Sequence, residues 1–383
     1  MPKRIGNARL VTDKRLGILL KLRILGEVAA QPHLLAIVGA SLSDSFADLQ
    51  QLKERSSQAW PEEYNKKEVE LAHGAAFPHV FEATFAIRFD EVGILLRELR
   101  IPESMVVGHR KRASGRTALL VLLARLRQGQ SLESLGLILQ MNPKRVSEIC
   151  TTMVAWTFQN WGHKPTQLYQ LKDRMSGYAA AIRRSSGIQG LEIMGFIDCT
   201  VRGVRRPLYG QEAIYSGHKK THGMKYQALG LPDGLLAAVA GPRSARRHDS
   251  RVLVESTLEN EIRRLQADTG VEYIAYADAT YTNSDVIMAG FDRVQRALDE
   301  DKEWFTKSMN ADRTSVEWLF GIVCNKFRWV DYKDGNKVGK TAVGCYYITA
   351  ILLTNCLTCM RGGNQHYARF ECPPPTLSEY LNM

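Results

Sequence analysis

The chain has 383 residues, 45% of them hydrophobic and 24% charged, with a net charge of +11 and a pI near 9.3. That length allows two or three domains around a sizeable core, and the balance is ordinary for a globular protein. The basic excess favours a polyanionic partner, nucleic acid before membrane, although simple solubility accounts for it equally well. The longest apolar runs, such as Leu34 to Val38, are far too short to span a bilayer, which argues against a membrane protein. Seven scattered cysteines with no secretory signal before them are expected to be reduced thiols in the cytosol or nucleus.

Residues 1–75 form an extension of mixed character and unassigned role. Leu16 to Val28 has helical spacing, and Ser56 to Lys67 is polar and linker-like. Residues 76–186 read as an all-α region. Phe81, Phe85, Phe89 and Val92 form a stripe that predicts core packing, and Pro102 closes that helix. Ala118 to Leu126 is a further helix. Ser131 is a fitting N-cap for a short helix over Leu132 to Leu139, and Pro143 suits the first turn of a second over Lys144 to Phe158. Two helices across so short a turn suggest a helix-turn-helix within 131–160, with Lys144, Arg145, Ser147 and Glu148 facing a DNA groove. A plain helical hairpin fits the same pattern.

The periodicity changes after Gly187. Strands are expected at Leu191 to Asp198, Lys225 to Leu231 and Leu235 to Ala240, the last two joined by a Pro232-Asp233-Gly234 turn. A helix from Asp249 to Leu265, a strand from Tyr273 to Ala277 and a helix from Thr314 to Phe327 follow. That order predicts an α/β catalytic domain of RNase H-like (retroviral integrase-like) fold over 187–360, preceded by the helix-turn-helix-containing region. The tail, 361–383, with Pro373-Pro374-Pro375, is expected to be flexible.

Asp198 and Asp278 would end neighbouring strands in such a core, and the late helix would lay Glu317 across them. Carboxylates suit Mg²⁺, and a pair of ions needs several acids to offset its charge. Each acid also has a simpler role open to it. Asp198 and Asp278 can start turns, Glu317 fits a capping box with Thr314, and Asp249 fits a helix N-cap. Cys356 and Cys359, with His366 and Cys372, loosely suggest zinc, but Leu352 to Leu357 reads better as a core helix.

Several segments together resemble the PIF/Harbinger group of DDE transposases and their domesticated nuclease relatives. They are Gly195 to Thr200, Tyr215 to Lys225, Pro232-Asp233-Gly234, Gly241-Pro242, Arg246 to Ser250, Ala277 to Tyr281, Val316 to Gly321 and Lys326-Phe327-Arg328. The resemblance spans roughly residues 187–357, and Ala277 stands where the group has a glycine. It implies Asp198 as the first catalytic and metal-binding acid and Glu317 as the last. Asp278 and Asp249 are both candidates for the middle one, with Asp278 favoured by topology. It further implies a divalent cofactor, Mg²⁺ or Mn²⁺ as two ions, and cleavage of double-stranded DNA at transposon ends followed by strand joining. The other implications are a Myb/SANT-like partner protein, homo-oligomers, and nuclear action with import aided by that partner. Lys219, Lys220, His222, Arg246 and Arg247 are candidate phosphate contacts, against the simpler reading of a solvated basic face. Arg110-Lys111-Arg112 is either a phosphate contact or an import signal. A non-catalytic adaptor on the same scaffold, a host nuclease that does not transpose, and a nuclease for RNA–DNA hybrids are the rival functions.

Overall fold

A computed structural model describes residues 78–108 and 111–383. The N-terminal extension, with the helix expected over Leu16 to Val28 and the linker over Ser56 to Lys67, lies outside the described residues, as does Arg110.

Helices α1 (Pro78–Phe85) and α2 (Phe89–Glu98) carry the phenylalanine stripe, in which Phe81 packs tilted on Phe85 at 4.6 Å and edge-on to Phe89 at 5.3 Å. This region is not all helical. A two-stranded hairpin, β1 (Ser104–Val107) and β2 (Lys111–Ser114), interrupts it. Helices α3 (Gly115–Arg127), α4 (Leu132–Ile138) and α5 (Pro143–Trp161) follow. Their starts are set locally, as the sequence suggests. Ser131 accepts from the Ser134 amide at 3.2 Å, and Asn142 accepts from Lys144 at 2.9 Å ahead of Pro143. A one-turn helix, α6 (His163–Thr166), leads to α7 (Met175–Ser186).

The sheet contains β3 (Glu192–Gly203), β4 (Tyr215–Ser216), β5 (Thr221–Gly230), β6 (Leu236–Ser244), β7 (Tyr273–Ala277) and β8 (Ile287–Ala289). β6, β5, β3, β7 and β8 lie in that order, with β4 on the end of β5. The β6–β5–β3 pairings are antiparallel, whereas β7 runs parallel to β3 and β8 parallel to β7. This is the strand arrangement of an RNase H-like α/β fold. Between β6 and β7, two helices, α8 (Asp249–Val254) and α9 (Leu258–Thr269), replace the single one expected, because Ser256 bonds back to Leu253 and breaks the run. A short α10 (Arg293–Ala297) precedes α11 (Glu300–Lys326), which starts fourteen residues before the expected Thr314.

Helix α12 (Val343–Met360) is long and apolar enough to cross a membrane, but 94% of it is buried inside the protein. Thr and Asn residues dilute its apolar run in the sequence; Thr354 and Thr358 donate to the carbonyls one turn back at 2.8 and 3.0 Å. The Asn355 amide bonds Leu236 on both backbone atoms at 3.1 and 2.9 Å, and donates to the Tyr380 hydroxyl at 3.0 Å. Cys356 and Cys359 are buried core residues of this helix, and burial pushes the Cys356 thiol up to about 12.

The tail is not loose. It forms α13 (Tyr367–Phe370) and α14 (Leu377–Asn382), with Leu377, Tyr380 and Leu381 buried. Arg369 binds the buried Asp312 of α11 at 2.6 Å, and Lys164 donates to the Met383 carbonyl at 2.6 Å. One continuous core runs from Phe81 to Leu381, so the helical region and the sheet share it.

Candidate active site

Strand β3 is apolar as far as Ile197 because both its faces are covered there, by α7 and α11 among others. It does not end at Asp198 as expected. Its antiparallel pairing with β5 continues to Gly203 opposite Gly223. Only the parallel side stops: Phe196 pairs with Tyr276, and two residues farther along each strand stand Asp198 and Asp278. The two carboxylates are therefore side by side where β7 leaves the sheet.

Glu317 comes from the middle of α11, so the expected capping box with Thr314 does not exist. Thr314 instead donates to the Asn310 carbonyl at 2.8 Å. The helix is seated close to the sheet by Gly230. A methyl group there would meet Val316, the neighbour of Glu317, at 2.8 Å.

Between the acids lies Arg313, one helical turn before Glu317. Its guanidinium is 3.6 Å from Asp198 and 3.8 Å from Glu317. Burial pushes the Asp198 carboxyl up to about 6, against the Cys199 amide at 2.8 Å and Arg313, which hold it down; the charges of Glu317 and Asp278 add to the rise. Three carboxylates thus feel one another, with a cation held between two of them. Asp278 also makes the turn anticipated for it, accepting from the Thr280 amide at 2.8 Å. Among the described residues no three His, Cys, Asp or Glu side chains are gathered closely enough to hold a metal ion as they stand. The donor set nevertheless fits a hard divalent cation in its chemistry, since all its atoms are carboxylate oxygens and a positive group is already drawn to it.

Asp249 is the first residue of α8, with His248 at the cap position. It is occupied differently: the buried Lys225 ammonium binds it and the Arg247 carbonyl. Its charge reaches Cys199 and Tyr281, whose side chains meet at 3.3 Å.

The basic candidates divide. Lys219 and Lys220 lie exposed in the β4–β5 turn, and Arg246 lies exposed after β6; none of the three forms an ion pair among the described residues. Arg247 is tied to Glu255 at 3.2 Å, and His222 packs its ring on Tyr215 at 5.1 Å. Both turns sit at the sheet end toward which β3 runs after Asp198. In the helical pair, Lys144 is exposed and Ser147 and Glu148 are half-buried. Arg145 is not groove-facing. It is 8% exposed and donates to the Arg112 carbonyl, because α5 packs that side against the β1–β2 hairpin.

Sequence reasoning missed Arg313, whose signal was its place four residues before Glu317 on one helix face. It also missed Trp304 and Trp318, both exposed on α11.

Residues 197–355 match the family model of the DDE superfamily endonuclease. The matched stretch begins one residue before Asp198, ends within α12 and contains all four acids, and it supports a nuclease- or transposase-type function acting on DNA. No curated protein and no solved structure matches the chain.

Proposed function

We propose that this protein is a metal-dependent DNA endonuclease of the PIF/Harbinger transposase type, which cuts phosphodiester bonds at transposon ends and joins the freed 3′-hydroxyls to target DNA. The observation that carries this reading is the proximity of Asp198, Asp278 and Glu317, the first and last bridged by the Arg313 guanidinium, inside a segment similar to DDE endonucleases. These three would hold Mg²⁺ or Mn²⁺, as one or two ions. Asp249 ranks behind them because Lys225 already neutralises it. A divalent pair so held supplies an activated water and stabilises the leaving oxygen.

The chain's own residues do the rest. Asp198, although partly desolvated, is mostly ionised above pH 7. Arg313 offsets carboxylate repulsion and is placed to meet a phosphate oxygen once the acids have other company. Lys219, Lys220 and Arg246 offer free charges to the backbone, and Trp304 and Trp318 offer flat faces to unpaired bases. On this reading the protein works in the nucleus as a homo-oligomer that brings two DNA ends together, aided by a Myb/SANT-like protein.

A second reading is a domesticated DNA-binding adaptor. The observation favouring it is that Arg313 already bridges Asp198 and Glu317, two of the acids that would hold a metal ion. Incubating the protein with terminal-repeat duplex DNA and Mn²⁺ or Mg²⁺ separates the two. Cleavage is expected from the wild type and should fall by about a hundredfold or more in Asp198→Ala, Asp278→Ala and Glu317→Ala, with a smaller loss in Asp249→Ala. DNA binding without cutting, the same in all four variants, would leave the adaptor. Cutting without strand joining would indicate a host nuclease.

A further inference from the structure

A second charged site lies behind α11. Nine residues separate Lys326 from Glu317, which places Lys326 half a turn out of phase and about 14 Å farther along the helix. There it faces a cavity of about 490 Å³ whose walls come from α1, α3, α11, α12 and the residues after α12. Three cations border it: Arg127, Lys326 and Arg361.

Their charges are not equally spent. Arg361 grips the buried Glu91 at 2.7 and 2.8 Å and touches Glu82 at 3.3 Å, so it is neutralised. Among the described residues Arg127 donates to carbonyl oxygens, those of Ala83 at 3.2 Å, Asn325 at 2.9 Å and Lys326 at 3.2 Å. Those contacts fix the guanidinium without cancelling its charge. The Lys326 ammonium has no hydrogen bond or ion pair among the described residues. Burial, with Arg361 and Arg127 nearby, lowers it to about 8. Arg328 adds to the positive field felt by Arg127. Among the described residues, Glu82 and Glu91 are the acids that stand against these cations. Asn325 and Gln365 bring amide donors to the same walls.

A half-buried, unpaired ammonium beside an uncancelled guanidinium is a costly arrangement for a folded protein to keep empty. We infer that this cavity binds a phosphate group, as an anion site separate from the three acids. The phosphate comes either from a free phosphorylated small molecule or from a nucleic-acid backbone. The cavity is large enough for a phosphate with a sugar-sized group attached.

Calorimetric titration of the full chain with pyrophosphate, after divalent ions are stripped away, tests this. One saturable site is expected. Lys326→Ala should weaken it by about tenfold or more, and Lys326→Arg should keep most of the affinity. Asn325→Glu, at an exposed position of the wall, should weaken binding as much without disturbing the core. Affinity should also fall above pH 8, where Lys326, faced by Arg127, Arg361, Glu82 and Glu91, loses its proton. A short DNA duplex that competes with pyrophosphate would identify the backbone as the source, and a duplex that does not compete would identify a free small anion. Absence of saturable binding, or equal affinity in the wild type, Lys326→Ala and Asn325→Glu, would overturn the inference.

Discussion

Two aspartates have carboxyls raised to about 6, both by burial, and their settings differ. Asp198 faces other acids and a guanidinium. Asp233 lies in the turn between β5 and β6, fully buried, accepting from the Tyr178 hydroxyl at 2.5 Å and the Leu235 amide at 3.1 Å, with Arg174 at 3.6 Å. Asp233 is structural: it ties α7 to the hairpin. Its folded value lies above the ordinary 3.8, so the proton favours the folded state. That contribution is complete below about pH 4 and is lost as pH rises through 6. Asp233→Asn should therefore gain on the wild type by about 2–3 kcal/mol between pH 4 and pH 7.5. Urea unfolding of both proteins at the two pH values measures it. A constant difference would mean that Arg174 holds Asp233 as an ordinary carboxylate.

At the scale of elements, the site depends on how closely α11 approaches the sheet. Gly230→Ala would put a methyl group against Val316 and Leu319, which cannot both move without shifting the helix. A loss of about 1–3 kcal/mol in stability is expected from that overpacking. Cleavage should drop by more than about tenfold, since small misplacements of a reacting group are costly. Gly321→Ala, on the same helix with open space around it, should gain about 0.5–1 kcal/mol and cut normally. Equal rates in the two variants would show that the position of Glu317 does not depend on this contact.

The same elements show what the sequence made legible. β7 lies where its apolar run predicts, from Tyr273 to Ala277, because a strand buried on both faces has an unmistakable composition. The helix caps at Ser131 and Asn142 were readable because their bonds are local. The extent of β3 was not, since residues 199–203 are held by β5, twenty or more positions away. The placement of Arg145 and the packing of the tail are long-range in the same way. The acids could be named from their order, but the guanidinium between them depends on a helix whose start the sequence concealed behind a mixed-polarity stretch, Glu300 to Arg313.

For the whole molecule, the basic balance of +11 includes three exposed cations, Lys219, Lys220 and Arg246, at the sheet end that holds the β4–β5 turn and the turn after β6. Duplex DNA binding should weaken with salt at a slope of about −0.9 per phosphate contacted. Replacing Lys219 and Lys220 together by alanine should reduce that slope by about 2, with little dependence on sequence. Fluorescence anisotropy across a salt series reads it directly, and an unchanged slope would remove this turn from the interface.

The unbroken core has a mechanical meaning. Where a DNA-holding unit is strung to a nuclease by a linker, the cut can wander relative to the bound sequence. Here α5 packs on α12, α12 on β6 and α11, and α11 carries Glu317. Any nucleic acid gripped by the α4–α5 pair would thus be measured off by a rigid ruler of side chains, and the scissile bond would fall at a fixed offset from the sequence being read.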